Sequence, residues 1–219
     1  MKRVLFVCTG NTCRSPMAEA LLRKIADEEN FPVEVQSAGV AAVNGSLASP
    51  QAIEVLKEKG IEHDHRSQEI NEELIAWADY VLTMTSSHKQ TLIQLFPQYV
   101  DKIYTLREYA EPGFEKKQKL YKQLDQLYVE MENKRAKLVA EWKFPKDETK
   151  QQELEQQLYH ELEPFFKQEE QLLNQLAELS TSLDIHDPFG GSVDTYRLCC
   201  EQIEKEIRNI IQKWKTMDR

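Results

Sequence analysis

A stretch of nine residues near the start of the chain, Cys8-Thr9-Gly10-Asn11-Thr12-Cys13-Arg14-Ser15-Pro16, constrains the fold more than any other. The apolar run Val4-Leu5-Phe6-Val7 enters it, and a helical stripe of Met17, Leu21, Leu22 and Ile25 leaves it. Cys8 and Arg14 therefore stand, with five residues between them, between a strand over 3–7 and a helix reaching about Asn30. Successive backbone N–H groups in such a loop curl around one anion, and the following helix N-terminus adds positive potential behind them. The Arg14 fork matches two of the anion's oxygens. The same cradle favours the thiolate of Cys8, which is the nucleophilic form. Together these features imply phosphoryl transfer through a phosphocysteine. Ser15 is expected to cap the helix, with Pro16 at its first position.

Strand and helix patterns then alternate. Val33–Gln36, Tyr80–Met84 and Lys102–Leu106 read as strands, and Ser37-Ala38-Gly39 ends the first of them. Helices are expected from Ser49-Pro50 to the stop at Gly60, from Asn71 through Trp77, and from Ser87 to Phe96. This order predicts an α/β fold with a four-stranded parallel sheet flanked by helices. Ligands of such sheets bind beyond the carboxyl ends of the strands, where the first loop lies.

The composition then changes. Between Glu115 and Thr181 there is no glycine, the prolines are Pro145 and Pro164, and Gln, Glu, Lys and Leu dominate. Leu120, Leu124, Leu127, Met131 and Leu138 form one helical seam, and Leu154, Leu158, Leu162, Phe165, Leu172, Leu176 and Leu179 form another. A break at Phe144-Pro145-Lys146-Asp147 joins them into an antiparallel helical hairpin of coiled-coil type. Pro164 should kink or break the second helix. After the turn-rich His186–Ser192, the stripe Val193, Tyr196, Cys200, Ile203, Ile207, Ile210 and Trp214 returns to the globular pattern. The hairpin, residues 113–183, is thus an insertion into a discontinuous domain of residues 1–112 and 184–219.

A net charge of −9 argues against nucleic acid and anionic membrane surfaces as partners. No apolar run approaches the ~20 residues of a membrane span. Four cysteines, two of them inside the anion loop, do not resemble a secreted disulfide framework. A cytoplasmic protein is the expectation.

Val7–Glu19, Ser37-Ala38-Gly39 and Asp187-Pro188-Phe189-Gly190-Gly191 together resemble the low-molecular-weight protein tyrosine phosphatase family over residues 2–110 and 184–216. Thr12 and the Phe-Gly-Gly after Asp187 resemble its bacterial protein arginine phosphatase branch, whereas tyrosine-specific relatives usually carry an aliphatic residue at the Thr12 position. The resemblance implies Cys8 as nucleophile and Arg14 as the phosphoryl-binding cation. Asp187 is implied as the acid for the leaving group and then the base for water. Thr9, Gly10, Asn11, Thr12, Cys13 and Ser15 shape the phosphate loop, with Ser15 placed to hydrogen-bond Cys8 and Phe189 to wall the pocket. Phosphorylated proteins are the implied partners, with neither cofactor nor metal. Phosphotyrosine is the alternative substrate. Arsenate reduction on the same fold would need further cysteines. A reading from another class is an interaction protein that recognises phosphorylated residues or binds partners through the hairpin.

Other residues have plainer readings. Cys13 either packs behind the loop or pairs with Cys8 on oxidation. Cys199-Cys200 belong to the last helix, Cys200 as a small hydrophobe. His63-Asp64-His65 reads as a solvated loop, short of the residues that complete a metal site. The hairpin is either a tolerated extension or a surface for a partner or a second copy of the chain, biasing the position of Asp187.

Overall fold

The structure is a computed structural model that describes residues 1–111, 114–142, 148–179 and 183–217. It divides into two compact units, Met1–Pro112 with Ser182–Arg219, and Gly113–Thr181.

The first unit is built on four parallel strands in the order β2-β1-β3-β4: β1 Lys2–Cys8, β2 Val33–Gly39, β3 Tyr80–Thr83 and β4 Ile103–Thr105. Val4 to Val7 of β1 are fully buried, as an apolar run covered on both faces of a parallel sheet should be. Because β1 lies between β2 and β3, chain order reverses beside it, and the crevice beyond the carboxyl ends of β1 and β3 is the natural ligand position. Cys8 stands there, in register with Gly39.

Helices α1 Arg14–Glu28, α2 Pro50–Glu58, α3 Glu72–Trp77, α4 Ser86–Leu95 and α5 Leu106–Ala110 connect and cover the strands. Ser49, Asn71 and Thr85 cap α2, α3 and α4 by accepting backbone N–H bonds, as their side chains favour. Gly60 takes φ +69° just after α2. Two local expectations are corrected. Helix α1 begins at Arg14, not after Ser15, and its N-cap Cys13 makes no side-chain cap bond. The Ser15 hydroxyl turns into the loop instead. Leu106 opens α5 rather than ending β4, because Thr105 and Glu108 form a reciprocal capping box. Helix α5 and a 3-10 helix at Pro97–Lys102 escaped the sequence patterns through their shortness.

In the second unit α6 (Phe114–Trp142) and α7 (Glu148–Leu179) run antiparallel. Tyr128 pairs with Glu169, Lys134 with Glu161 and Trp142 with Gln157, so one number rises as the other falls. Leu120, Leu124, Leu127, Leu172 and Leu176 form its core, with Tyr121, Tyr128 and Phe165 against it. Helix α7 continues through Pro164, against the expected break. The expected turn at residues 144–147 lies outside the described residues.

Back in the first unit, α8 (Val193–Met217) buries Tyr196, Cys200, Ile203, Ile207, Ile210 and Trp214 along the expected stripe. Trp214 stacks on Phe31 at 5.8 Å, and its Nε1 donates to the Tyr109 hydroxyl at 2.7 Å. These contacts anchor the C-terminal end of α8 to α5 and to the loop before β2.

Candidate active site

The loop between β1 and α1 is held in shape by Asn11. Its φ is +53°, a left-handed value that asparagine tolerates better than most residues. Its buried side chain donates to Ser15 Oγ at 2.9 Å and Ser37 Oγ at 2.8 Å, and accepts from the Gln68 N–H at 2.9 Å. Its carbonyl accepts from His65 Nε2 at 2.7 Å. Ser37 in turn donates to Glu19 Oε2 at 2.7 Å. Gly39 is required beside the loop, since a Cβ there would lie 2.4 Å from the Thr9 carbonyl oxygen and 2.9 Å from the Asn11 nitrogen. Among the described residues, none of the backbone N–H groups of Thr9, Gly10, Asn11, Thr12 and Cys13 has a partner. Five donors on a tightly curved segment make an anion cradle.

Cys8 Sγ lies 3.0 Å from Ser15 Oγ, so the hydroxyl that might have capped α1 is placed to stabilise a thiolate. Arg14 is almost wholly buried. Its Nη2 donates to Asp187 Oδ2 at 2.8 Å and its Nη1 to the Ile185 carbonyl at 3.5 Å, while its Nε is buried with no partner. Asp187 is half exposed, as a group that must meet both substrate and water should be. Its loop is fastened to the sheet by Ile185 N–H to the Met84 carbonyl at 2.8 Å. Asp187 Oδ1 accepts from the Phe189 N–H at 3.2 Å, and the Phe189 ring is 79% exposed. Asp187 and Phe189 therefore share one loop, and Asp187 meets Arg14 from the far end of the sequence.

In the same loop Thr9 is exposed and Thr12 half-buried. Thr9 Oγ1 lies 2.8 Å from His88 Nε2, and His88 Nδ1 lies 2.8 Å from Thr85 Oγ1. Burial, helped by the Arg14 charge, pushes His88 down to about 4, so it is a neutral strut at ordinary pH. Cys13 packs behind the loop with Sγ 3.1 Å from the Tyr196 hydroxyl, and all four cysteines are free thiols. Burial pushes Tyr196, Cys199 and Cys200 each up to about 12, which leaves the two α8 thiols poor nucleophiles.

The residues expected from the sequence thus converge, but their support was largely hidden. His88 and Gln68 carried no motif, while Glu19 and Ser37 stood in the family-like stretches, and Tyr196 in the last helical stripe, with no part in the site assigned to them. The reading of His63-Asp64-His65 as a solvated loop is corrected. His65 is 6% exposed and its ring stacks on His63 at 5.4 Å. One donor atom each from Glu19, His63 and His65 lie within 4.8 Å of one another. Polarity suggested solvent; the Asn11 carbonyl, far away in sequence, imposes burial.

The family profile "Low molecular weight phosphotyrosine protein phosphatase" matches residues 3–120. A protein-arginine-phosphatase of Geobacillus stearothermophilus is 56% identical over 109 residues, covering 49% of this chain and 71% of the relative. The solved YwlE arginine phosphatase from Geobacillus stearothermophilus superposes with TM-score 0.64 at 34% identity, covering 99% of this chain and 95% of that one. A Cys-to-Ser mutant of YwlE arginine phosphatase, solved with a phosphorylated active-site serine, gives TM-score 0.65 at 32% identity, covering 97% of this chain and 95% of that one.

Proposed function

Because the chain belongs to the low molecular weight phosphotyrosine protein phosphatase family, we infer that it is a cysteine-dependent protein phosphatase acting on phosphoarginine in proteins. The observation that carries the reading is one loop mouth at which Cys8, five unpartnered backbone N–H groups and the Arg14–Asp187 pair meet.

In this reading the substrate phosphoryl oxygens take the N–H groups of Thr9–Cys13 and the Arg14 guanidinium, donors already fixed before charge develops. The Cys8 thiolate attacks phosphorus. The P–N bond breaks, and the departing guanidine nitrogen receives a proton from the Asp187 carboxyl. The Asp187 carboxylate then takes a proton from water, whose oxygen attacks the phosphocysteine. The P–S bond breaks, phosphate leaves and the thiolate returns, stabilised by the Ser15 hydroxyl. A phosphoryl group resting on serine in the mutant YwlE supports a covalent intermediate at this position.

Two things support arginine over tyrosine. Relatives named as arginine phosphatases share more than half of the aligned residues. Thr12 also gives the pocket a short polar wall, less suited to a phenol ring than to a guanidinium, while the Asp187 carboxylate pairs with a guanidinium. A paired assay on phosphoarginine and phosphotyrosine peptides tests this. No turnover is expected from Cys8→Ser, and a shift toward phosphotyrosine is expected from Thr12→Ile. Wild-type protein that hydrolyses phosphotyrosine far faster than phosphoarginine overturns the substrate assignment.

Two further parts of the reading concern setting. Four free thiols suit a reducing, cytoplasmic compartment, and no described helix is long and apolar enough to cross a membrane. The hairpin is read as a surface for a partner or a second copy of the chain, supported by the exposed Val129, Tyr159, Phe166 and Leu173.

A further inference from the structure

At the buried root of the phosphate loop lies a group of donors that the reaction above does not use. His63 and His65 are two residues apart, the spacing that puts side chains on one face of an extended chain. Their rings stack, and Glu19 of α1 completes a trio of donors within 4.8 Å of one another. A tetrahedral centre with bonds of roughly 2.0–2.2 Å spaces its donors by roughly 3.4 Å, so these three need to draw together by about 1.4 Å or less. The two histidines are prepared differently. His65 Nε2 bonds to a carbonyl, which only accepts, so Nε2 carries a proton and Nδ1 keeps its lone pair for a cation. Ligating histidines commonly donate their other N–H to a backbone carbonyl in this way. His63 Nε2 is buried with no hydrogen-bond partner among the described residues. An imidazole nitrogen left unsatisfied beside a buried carboxylate is a costly arrangement without a ligand.

We propose that Glu19, His63 and His65 form a binding site for a divalent transition-metal cation of the Zn2+ class, coupled to the phosphate loop through Asn11 and Ser37. Two imidazoles and a carboxylate are a donor set that suits Zn2+ and its spectroscopic surrogate Co2+. Arg23 opposes the cation, since its Nη2 bonds Glu19 Oε1 at 2.6 Å. Its side chain is 54% exposed and long enough to swing into solvent on giving up Glu19 and the Val35 carbonyl, which the same Nη2 bonds at 2.9 Å, and Asp64 adds a compensating negative charge nearby. The coupling follows from shared partners. Glu19 Oε2 accepts from Ser37, Ser37 Oγ accepts from the Asn11 side chain, and His65 holds the Asn11 carbonyl. A cation that pulls Glu19 and His65 toward itself therefore acts on two of the contacts that keep Asn11 in its left-handed conformation. By linkage, phosphate in the loop changes metal affinity by the same factor as metal changes phosphate affinity.

The test must separate this site from metal capture by the loop thiols, so it uses the full chain carrying Cys8→Ser and Cys13→Ser. Titration with Co2+, followed by visible absorption, is expected to give one equivalent with a ligand-field band and no thiolate charge-transfer band. Zn2+ should compete for it. Adding His63→Ala, a residue that makes no hydrogen bond through its buried Nε2, should weaken binding at least as much as losing an outer partner, roughly 10–100-fold. Its metal-free melting temperature reports whether the fold is kept, and Glu19→Gln is the second variant with the same expected loss. Inorganic phosphate should bind the protein lacking the two loop thiols with an affinity that changes on adding Zn2+, and that change should vanish with His63→Ala. Absence of stoichiometric binding in the chain lacking the two loop thiols overturns the proposal. So does binding undiminished by both His63→Ala and Glu19→Gln, or phosphate affinity indifferent to the metal.

Discussion

Asp187 and a phosphoryl group compete for the same nitrogen. Arg14 Nη2 holds Asp187 at 2.8 Å, while the unpartnered Nε shows which other edge of the guanidinium is open. In the proposed reaction, phosphate that takes both Nε and Nη2 displaces the carboxylate and so frees Asp187 to serve the leaving group. Asp187→Asn should therefore split two measurements. Turnover should fall by about 10²–10⁴-fold, the usual size of a general acid–base contribution. The inhibition constant of inorganic phosphate should fall as well, since a competing negative charge is gone. A variant that loses turnover and also binds phosphate more weakly would refute the competition. His88 makes a separate prediction. Its folded value of about 4 lies below its ordinary 6.5, so between these values the unfolded chain binds a proton that the folded chain refuses. Stability is thus lost as pH falls from about 6.5 to about 4, by at most roughly 3 kcal/mol from this residue. Thermal melts of wild type and His88→Gln at neutral pH and near 4.5 check it: the difference between the two proteins should shrink or reverse in acid.

At the scale of elements, the site depends on how closely β2 approaches the loop. Gly39 has no room for a Cβ, because the nearest atoms are backbone of Thr9 and Asn11, which do not rotate away. Gly39→Ala should cost about 1–3 kcal/mol of stability through overpacking. It should also lower kcat/KM by roughly 10²-fold, as expected when catalytic groups shift by about 1 Å. A fully active Gly39→Ala would mean that the loop tolerates displacement. A milder change tests α5: Thr105→Ala removes one half of the capping box and should lower stability by about 1 kcal/mol in a denaturant titration. These elements also show what was legible in advance. Strand β1, the capped starts of α2 and α3, and the 3-4 stripes of α8 and the hairpin follow local chemistry, so the chain order displays them. Helix α1 misled at Ser15 because its hydroxyl serves Cys8 rather than a cap, a local rule broken where the chemistry requires it. His65 misled, and His88 went unread, for another reason. Their roles are set by Asn11 and Thr9, more than fifty positions away, and spacing carries no trace of such pairings.

For the whole molecule, every group assigned a part in the reaction belongs to the first unit, although the chain leaves that unit between Pro112 and Ser182 before supplying Asp187. The second unit has its own core, in which leucines of α6 and α7 bury one another. Insertions of this kind are thermodynamically cheap, since loop closure rises by only about 0.6 kcal/mol per doubling of length. The first unit, for its part, closes on Trp214, Tyr109 and the Ile185–Met84 bond. Replacing Gly113–Thr181 by a short glycine-rich link should therefore leave a folded protein with turnover on phosphopeptides within about threefold of wild type, as a tolerated change of connection length allows. Steady-state kinetics and a thermal melt of the shortened chain check this. A large fall in kcat with KM unchanged would show instead that the hairpin sets where Asp187 stands. Unchanged kinetics together with loss of self-association or of a captured partner would place the hairpin's role in recruitment, with the chemistry left to the loop at Cys8.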